Sequence, residues 1–555
     1  MSAARLLPPL ATAVVVLAYP WTGLPLRYLA NDDLGLIAFL AQDCDPVFFS
    51  VLLGRVLRAA YRIGGPEAPL FPLFLNATLA LSAAVFVHLL PARSGRGWRH
   101  PGVWLAAGIY ASVFVFFLSA MTFTLSAAAL AAHGGLWLLL GESRRSAWLA
   151  AGLVALGMLV RLEAAALAAL LLLVPGSVRL RREPLPLLKR LLPLAACVLV
   201  TFAAERVAQH VGVTPAHREF QAFNALRGRL HSFPLLDQHF GNPALLAANG
   251  WTETDYLLFV NWVFPDERKY NGETLGNFFR LPPPPRAEQP RRPARSTAER
   301  LRYFAWDYSY YCGGIALLVV LGLSLRGWTP NLLLQAQALW MLLLGLYLEF
   351  FLRFPMRVRE SALLAGLLGA FALLRLLDAR RASGRRGGIG PAAALVFLLW
   401  RSGLMLSWLL TLRWDQGEMV RWGERFGARY PRQIAYFWHT YAPRLEILHP
   451  LRRPEFGFEI MLHGWTTFSE PFYADIQRRL GIRRGQELLP ALAHRPDVVL
   501  VAPAAGAEAI ATALRESHGI AVTPRRLEVE DGIEYWRLEP TVPPHPAAVP
   551  PGPPD

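Results

Sequence analysis

The sequence predicts a polytopic α-helical membrane protein of about eleven spans with a small α/β domain near its C-terminus. Three observations carry this. Of 555 residues, 54% are hydrophobic and only 17% charged, against roughly 25% charged in a soluble domain. Uncharged apolar runs, several of them about 17–25 residues long, recur from Leu6 to about residue 412. Beyond residue 413 the chain turns mixed and soluble-like.

The runs fall at about 6–26, 71–90, 103–121, 124–141, 147–160, 162–176, 191–205, 312–325, 329–350, 360–377 and 390–412. The first lies between Arg5 and Arg27 and lacks a small-residue cleavage pattern before Asp32. It therefore reads as an uncleaved helix. The fifth and sixth are short and part only around Arg161 and Glu163.

Basic loops order these spans. Arg93, Arg96 and Arg99, then Arg144 and Arg145, then Arg179, Arg181, Arg182, Lys189 and Arg190, then Arg380, Arg381, Arg385 and Arg386 all fall in even-numbered loops. The positive-inside rule puts those loops and the N-terminus in the cytoplasm. The loops 27–70 and 206–311 and everything after about 413 are then outside. The net charge of +16 is explained by these Arg-rich loops, and no nucleic-acid partner is expected.

Three domains follow: a membrane domain 1–412, an outer α/β domain 413–540, and a Pro-rich tail 541–555 that cannot form a core. Within the outer loop 206–311, Thr252 reads as the N-cap of a helix through Tyr256 to Val263. Residues 281–296 are Pro- and Arg-rich. In the C-terminal domain "PDVVLVAP" reads as a buried strand. "AGAEAIATALRESHG" reads as an amphipathic helix closed by Gly519, and Asp531-Gly532 as the turn of a hairpin. Cys44, Cys197 and Cys312 have no metal spacing and imply no disulfide framework.

The chemistry centres on "YLANDDLGLIAFLAQDCDP", just after the first span. Asn31 or Asp32 can cap a helix over the following residues, and Asp45-Pro46 repeats that signature. Capping needs one acid, however, and adjacent helical residues point about 100° apart. One of Asp32 and Asp33 is therefore free to face a cavity. The next helix places Arg55, Arg58 and Arg62 on one face, opposite Val51, Leu52 and Tyr61, an interfacial pattern suited to headgroup phosphates.

Arg353, Arg357 and Arg359 stand outside against the positive-inside bias. They call for an anionic partner, either Glu349 and Glu360 or a phosphate. His88 and His133, each alone in a span, read as satisfied core residues. No P-loop, zinc-protease or nucleophile-elbow motif occurs.

An acidic pair in the first outer loop, an interfacial helix after it, many spans and an outer C-terminal domain resemble the GT-C glycosyltransferases. "NDDLGLI", "GMLVRLEAAAL" and the stretch from Phe223 to Phe264 carry the resemblance to bacterial GT-C-like proteins. It implies a bacterial inner-membrane enzyme that moves a sugar from a polyprenyl-phosphate donor to a glycan, lipid or protein acceptor. It further implies that Asp32 or Asp33 is the catalytic base, and Arg55, Arg58, Arg353, Arg357, Arg359 and Asp255 become candidate substrate-binding residues. A divalent cation, Mg²⁺ or Mn²⁺, is left open, with Asp32 or Asp33 as ligand and Glu253 or Asp255 as further candidates. A transporter or flippase for lipid-linked saccharides, or a non-catalytic binding component, is the alternative.

Overall fold

The computed structural model describes residues 3–91, 98, 100–232, 243–280, 297–325, 327–352, 354–377, 389–438, 444–452, 454–462 and 464–541. Arg93, Arg96, Arg99, Arg353, the Arg380–Arg386 cluster, residues 281–296 and the tail from 542 lie outside them.

The chain divides into two units: 1–213 with 293–419 and 445–453, and 214–292 with 420–444 and 454–555. The first is helical. In order it contains α1 (Ala3–Ala18), α2 (Asn31–Ala41), α3 (Val51–Gly64), α4 (Leu70–Leu89), α5 (Pro101–Ser119), α6 (Phe123–Leu140) and α7 (Arg144–Val160). Then come α8 (Leu162–Leu171), α9 (Leu173–Arg182), α10 (Pro184–Gly212), α11 (Thr297–Asp307), α12 (Ser309–Ser324), α13 (Trp328–Phe351) and α14 (Met356–Leu376). The helix α15 (Ile389–Arg429) runs past the boundary into the second unit.

The protein is a polytopic helical protein. Among the described residues, six helices are long and apolar enough to cross a membrane: α4, α5, α6, α10, α13 and α15. The pair α8 and α9, bent by 53° at Leu172, makes a seventh if it is one span. The other expected spans are helices too, but α1 and α12 are short, α7 has only 17 residues, and α14 carries Arg357, Arg359, Glu360 and Arg375. The count of eleven is thus finer than helix length and composition support.

Helix α6 is the axis of this unit. It is apolar on every side and buried along nearly its whole length, as a helix surrounded by others must be. Small residues let its neighbour close in: a Cβ on Gly134 would lie 2.8 Å from the Ala150 carbonyl, and one on Gly157 2.8 Å from that of Ala127. Both contacts join α6 to α7, the small-residue packing that brings membrane helices together.

The interfacial helix forms as α3, but its N-cap is Ser50, whose hydroxyl accepts from the Leu53 amide at 3.1 Å, rather than Asp45. The Glu205 carboxylate from α10 completes the cap. It accepts from the Val51 amide at 2.9 Å, the Leu52 amide at 3.2 Å and the Ser50 hydroxyl at 2.5 Å.

The second unit is built on a five-stranded sheet in the order β4-β3-β5-β7-β6. It follows two short strands of the first unit, β1 (Arg27–Tyr28) and β2 (Ala120–Met121). Its own strands are β3 (Ile434–Phe437), β4 (Glu459–Leu462), β5 (Val498–Val501), β6 (Val522–Glu530) and β7 (Ile533–Pro540). β3 pairs in parallel with β4 and β5, while β7 is antiparallel to β5 and β6. The hairpin turns at Asp531 and Gly532, both at positive φ (51° and 80°), the geometry an Asp-Gly turn favours.

Packing moves the expected boundary at 412. Leu258 and Val263 lie in one core with Ile434, Tyr436 and Leu500. The segment 214–292 therefore belongs with the sheet domain, not with the membrane domain to which the sequence assigned it.

Candidate functional site

The site forms where four helices of the first unit begin. β1 and β2 pair in parallel, Arg27 opposite Ala120 and Tyr28 opposite Met121, and the Leu29 amide donates to the Met121 carbonyl at 3.0 Å. This clamps the entry of α2 against the entry of α6. The acidic pair lies in the first turn of α2. Neither Asn31 nor Asp32 is its cap: that position is Ala30, which makes no side-chain cap.

Asp33 caps a different helix. Its Oδ1 accepts from the Phe123 amide, the first residue of α6, at 3.0 Å. A carboxylate suits that end of a helix, where amides lack partners and the dipole is positive. Asp33 is fully buried, and its Oδ2 makes no well-formed hydrogen bond.

Burial pushes the Asp33 carboxyl up to about 7. The Phe123 amide pulls it down, Asp32 pushes it up again, and Thr122 and Arg357 pull it down. In the unfolded chain the same group titrates near its ordinary value of 3.8. Between those values the folded protein holds a proton that the unfolded chain has released. The stability linked to Asp33 is thus complete below about 4 and is lost as pH rises through about 7, by on the order of a few kcal/mol. Thermal midpoints measured from pH 4 to 8 should carry this fall. Asp33→Asn, which mimics the protonated group, should flatten it.

Asp32 faces the other way. It pairs with Arg357, in the first turn of α14, at 3.2 Å; the two side chains are 19% and 25% exposed. The sequence offered Glu349 and Glu360 as partners of the arginine cluster; Glu360 does lie within electrostatic reach of Arg359, but the hydrogen bonds of the two acids go elsewhere. Glu360 is bound by Arg401 of α15, and Glu349 accepts from the Tyr308 hydroxyl at 2.6 Å.

Arg161 completes the cluster, and its role is not evident from sequence. It is extended between α7 and α8, donates to the Thr124 hydroxyl at 2.8 Å and lies 4.9 Å from the centre of the Phe123 ring. Its neighbour Glu163 stands 3.6 Å away and largely exposed. Arg161 is within electrostatic reach of Asp32, Asp33 and Arg357. Two carboxyl groups and two guanidinium groups thus meet at the starts of α2, α6, α8 and α14, a setting of positive helix ends that favours an anion.

The other described candidate residues do not join this cluster; Arg353 lies outside the described residues. Arg58 pairs with Asp45 at 2.9 Å, and Arg62 with Asp43 at 2.6 Å. Arg55 donates to the Ala208 carbonyl of α10 at 3.2 Å. Each arginine of α3 thus has a partner within the protein, and Arg62 remains 66% exposed. Arg359 turns from Arg357 to lie 4.1 Å from the Tyr308 ring centre. Asp255, in the second unit, is structural. It forms a capping box with Thr252 and holds the Lys269 ammonium at 2.8 Å.

Among the described residues no group of three or more His, Cys, Asp or Glu side chains is placed to hold a metal ion. His133 is satisfied, between the Tyr110 hydroxyl and the Ala129 carbonyl.

An apolar groove of about 590 Å³ runs between α1, α4 and α5, lined by Thr12, Val16, Phe86, Trp104, Tyr110 and Leu118 among others. From Trp104 to Leu118 it follows α5 for roughly 21 Å, at 1.5 Å per residue. Leu118 lies just ahead of β2 in the chain, and β2 leads into α6.

No family model, curated protein or solved structure matches the chain.

Proposed function

We propose that the protein is a GT-C-like membrane glycosyltransferase that moves a sugar from a polyprenyl-phosphate donor to an acceptor hydroxyl on the outer side of a bacterial inner membrane. The Asp32–Arg357 pair, set beside the buried Asp33 at converging helix starts, carries the reading. An outward-facing transferase has no nucleotide sugars at hand, so its donor must be held in the membrane. The apolar groove offers a prenyl chain a bed along α5, the helix that leads through β2 to the start of α6.

In this mechanism the donor phosphate draws Arg357 away from Asp32 and leaves that carboxylate free. The acceptor oxygen attacks the anomeric carbon while Asp32 takes its proton. The bond from that carbon to the phosphate oxygen breaks, and polyprenyl phosphate departs with its added charge met by Arg357 and Arg161. A single displacement inverts the anomeric centre. Asp33 acts as a positioning residue by tying the start of α2 to that of α6. A divalent cation beside Asp32 or Asp33 would add electrostatic stabilisation to the same leaving group.

The reading requires the acidic pair to face outwards. In a chain cleared of its three native cysteines, an impermeant thiol reagent added outside should label a cysteine placed at Gly532 and miss one at Gly384. The opposite pattern would turn Asp32 towards the cytoplasm and remove the case for a lipid-linked donor.

A further inference from the structure

A second polar cluster lies on α12, α14 and α15, apart from the acidic pair. Arg401 is 3% exposed, and one of its terminal nitrogens bridges both oxygens of the fully buried Glu360 at 2.8 Å. Its guanidinium lies 5.3 Å from the Tyr310 ring centre, and that of Arg359 lies 5.6 Å from the same ring. Three buried groups around that ring have no hydrogen-bond partner: Arg401 Nε, Arg359 Nε and the Tyr310 hydroxyl.

A charged group so far from water is costly unless every donor is met. Glu360 offsets only one of the two cations here, and both of its oxygens are already used. Arg359 is half-buried, and its Nη1 donates to the Asp307 carbonyl at 3.2 Å; what remains is a set of donors from three helices with an excess of positive charge. That complements an oxyanion with several acceptor oxygens. We propose that Arg359, Arg401 and Tyr310 form a second anion site, for a phosphate group. Arg359 stands in the first turn of α14, a few residues along the chain from the end of α13, where Tyr347 and Phe351 are exposed. Those rings suit the boundary where lipid phosphates lie. The site does not depend on glycosyl transfer at Asp32.

The test is calorimetric titration of the full-length protein in detergent with two probes, dioctanoyl phosphatidic acid and inorganic phosphate. Saturable binding is expected. Tyr310→Phe keeps the ring and removes only the hydroxyl, so it should weaken binding by about tenfold or more, as a hydrogen bond to a charged group does. Arg359→Gln should weaken it at least as much. Arg401→Gln strands Glu360 as an unpaired buried charge and is expected to fold poorly, so the other two variants decide.

Asp32→Asn and Arg357→Gln should leave the component of binding that Tyr310→Phe and Arg359→Gln remove unchanged, which separates it from the donor site. Binding of phosphatidic acid alone assigns the site to a lipid headgroup, and equal binding of inorganic phosphate assigns it to a free anion. No saturable binding of either probe, or binding indifferent to both Tyr310→Phe and Arg359→Gln, overturns the proposal.

Discussion

Asp32→Asn should lower sugar transfer by roughly 10²–10⁴, the usual contribution of a positioned general base. Asn keeps the shape of the side chain and an oxygen that can still accept from Arg357, so folding should survive. It cannot take the acceptor proton. Asp33→Asn is the internal comparison: its amide oxygen can still accept from the Phe123 amide, so the cap on α6 persists and transfer should fall far less. Rates at equal protein, in detergent or vesicles, measure both. Parent-like turnover in both variants would make the pair structural. A collapse of both with partial rescue of one by Mg²⁺ or Mn²⁺ would identify that residue as a metal ligand.

Arg357→Gln should have the next largest effect. A guanidinium on a phosphate makes charge-assisted hydrogen bonds of about 1.5–3 kcal/mol, so donor binding should weaken by roughly 10–150-fold. Turnover at saturating donor should fall as well, because the same cation meets the charge that grows on the leaving phosphate. Equilibrium binding of a polyprenyl-phosphate analogue separates the two effects. Unchanged binding would return Arg357 to the role of a plain ion-pair partner for Asp32.

Local signals were the ones that could be read in the sequence. Thr252 followed by Asp255 formed the capping box, Gly519 closed its helix in the left-handed conformation, and Asp531-Gly532 turned the hairpin. Each depends on residues a few positions apart, where backbone geometry leaves few choices. The acidic pair was legible for the same reason, since two neighbours on a helix start cannot share one task.

Partner choice across the fold was not legible. Residue types showed that Arg357 needed an anion, but sequence placed Glu360 three residues away and Asp32 at the far end of the chain. Only the packing of α14 against α6 and α8 turns Arg357 towards α2 and leaves Glu360 to Arg401. The sequence pattern sets the arginines of α3 facing away from Val51, yet Val51 and Arg55, four residues apart on one side of the helix, both meet Ala208 of α10. The engagement of Arg58 and Arg62 by Asp45 and Asp43 depends on how the chain folds back after α2. Arg161 gave one faint signal, a charge at the break between two apolar runs. The long-range contacts of Glu205 and Asp33 with other helices' first amides gave none.

In the proposed reaction the bond between sugar and phosphate breaks in this protein. The direct measurement is to incubate the purified chain, in vesicles, with polyprenyl-phosphate donors carrying a labelled hexose or pentose and an envelope extract as acceptor. Label leaving the lipid, with free polyprenyl phosphate formed in equal amount, is the predicted result. Labelled donor that crosses the bilayer or stays bound with its sugar intact would contradict it and define a flippase or a binding component.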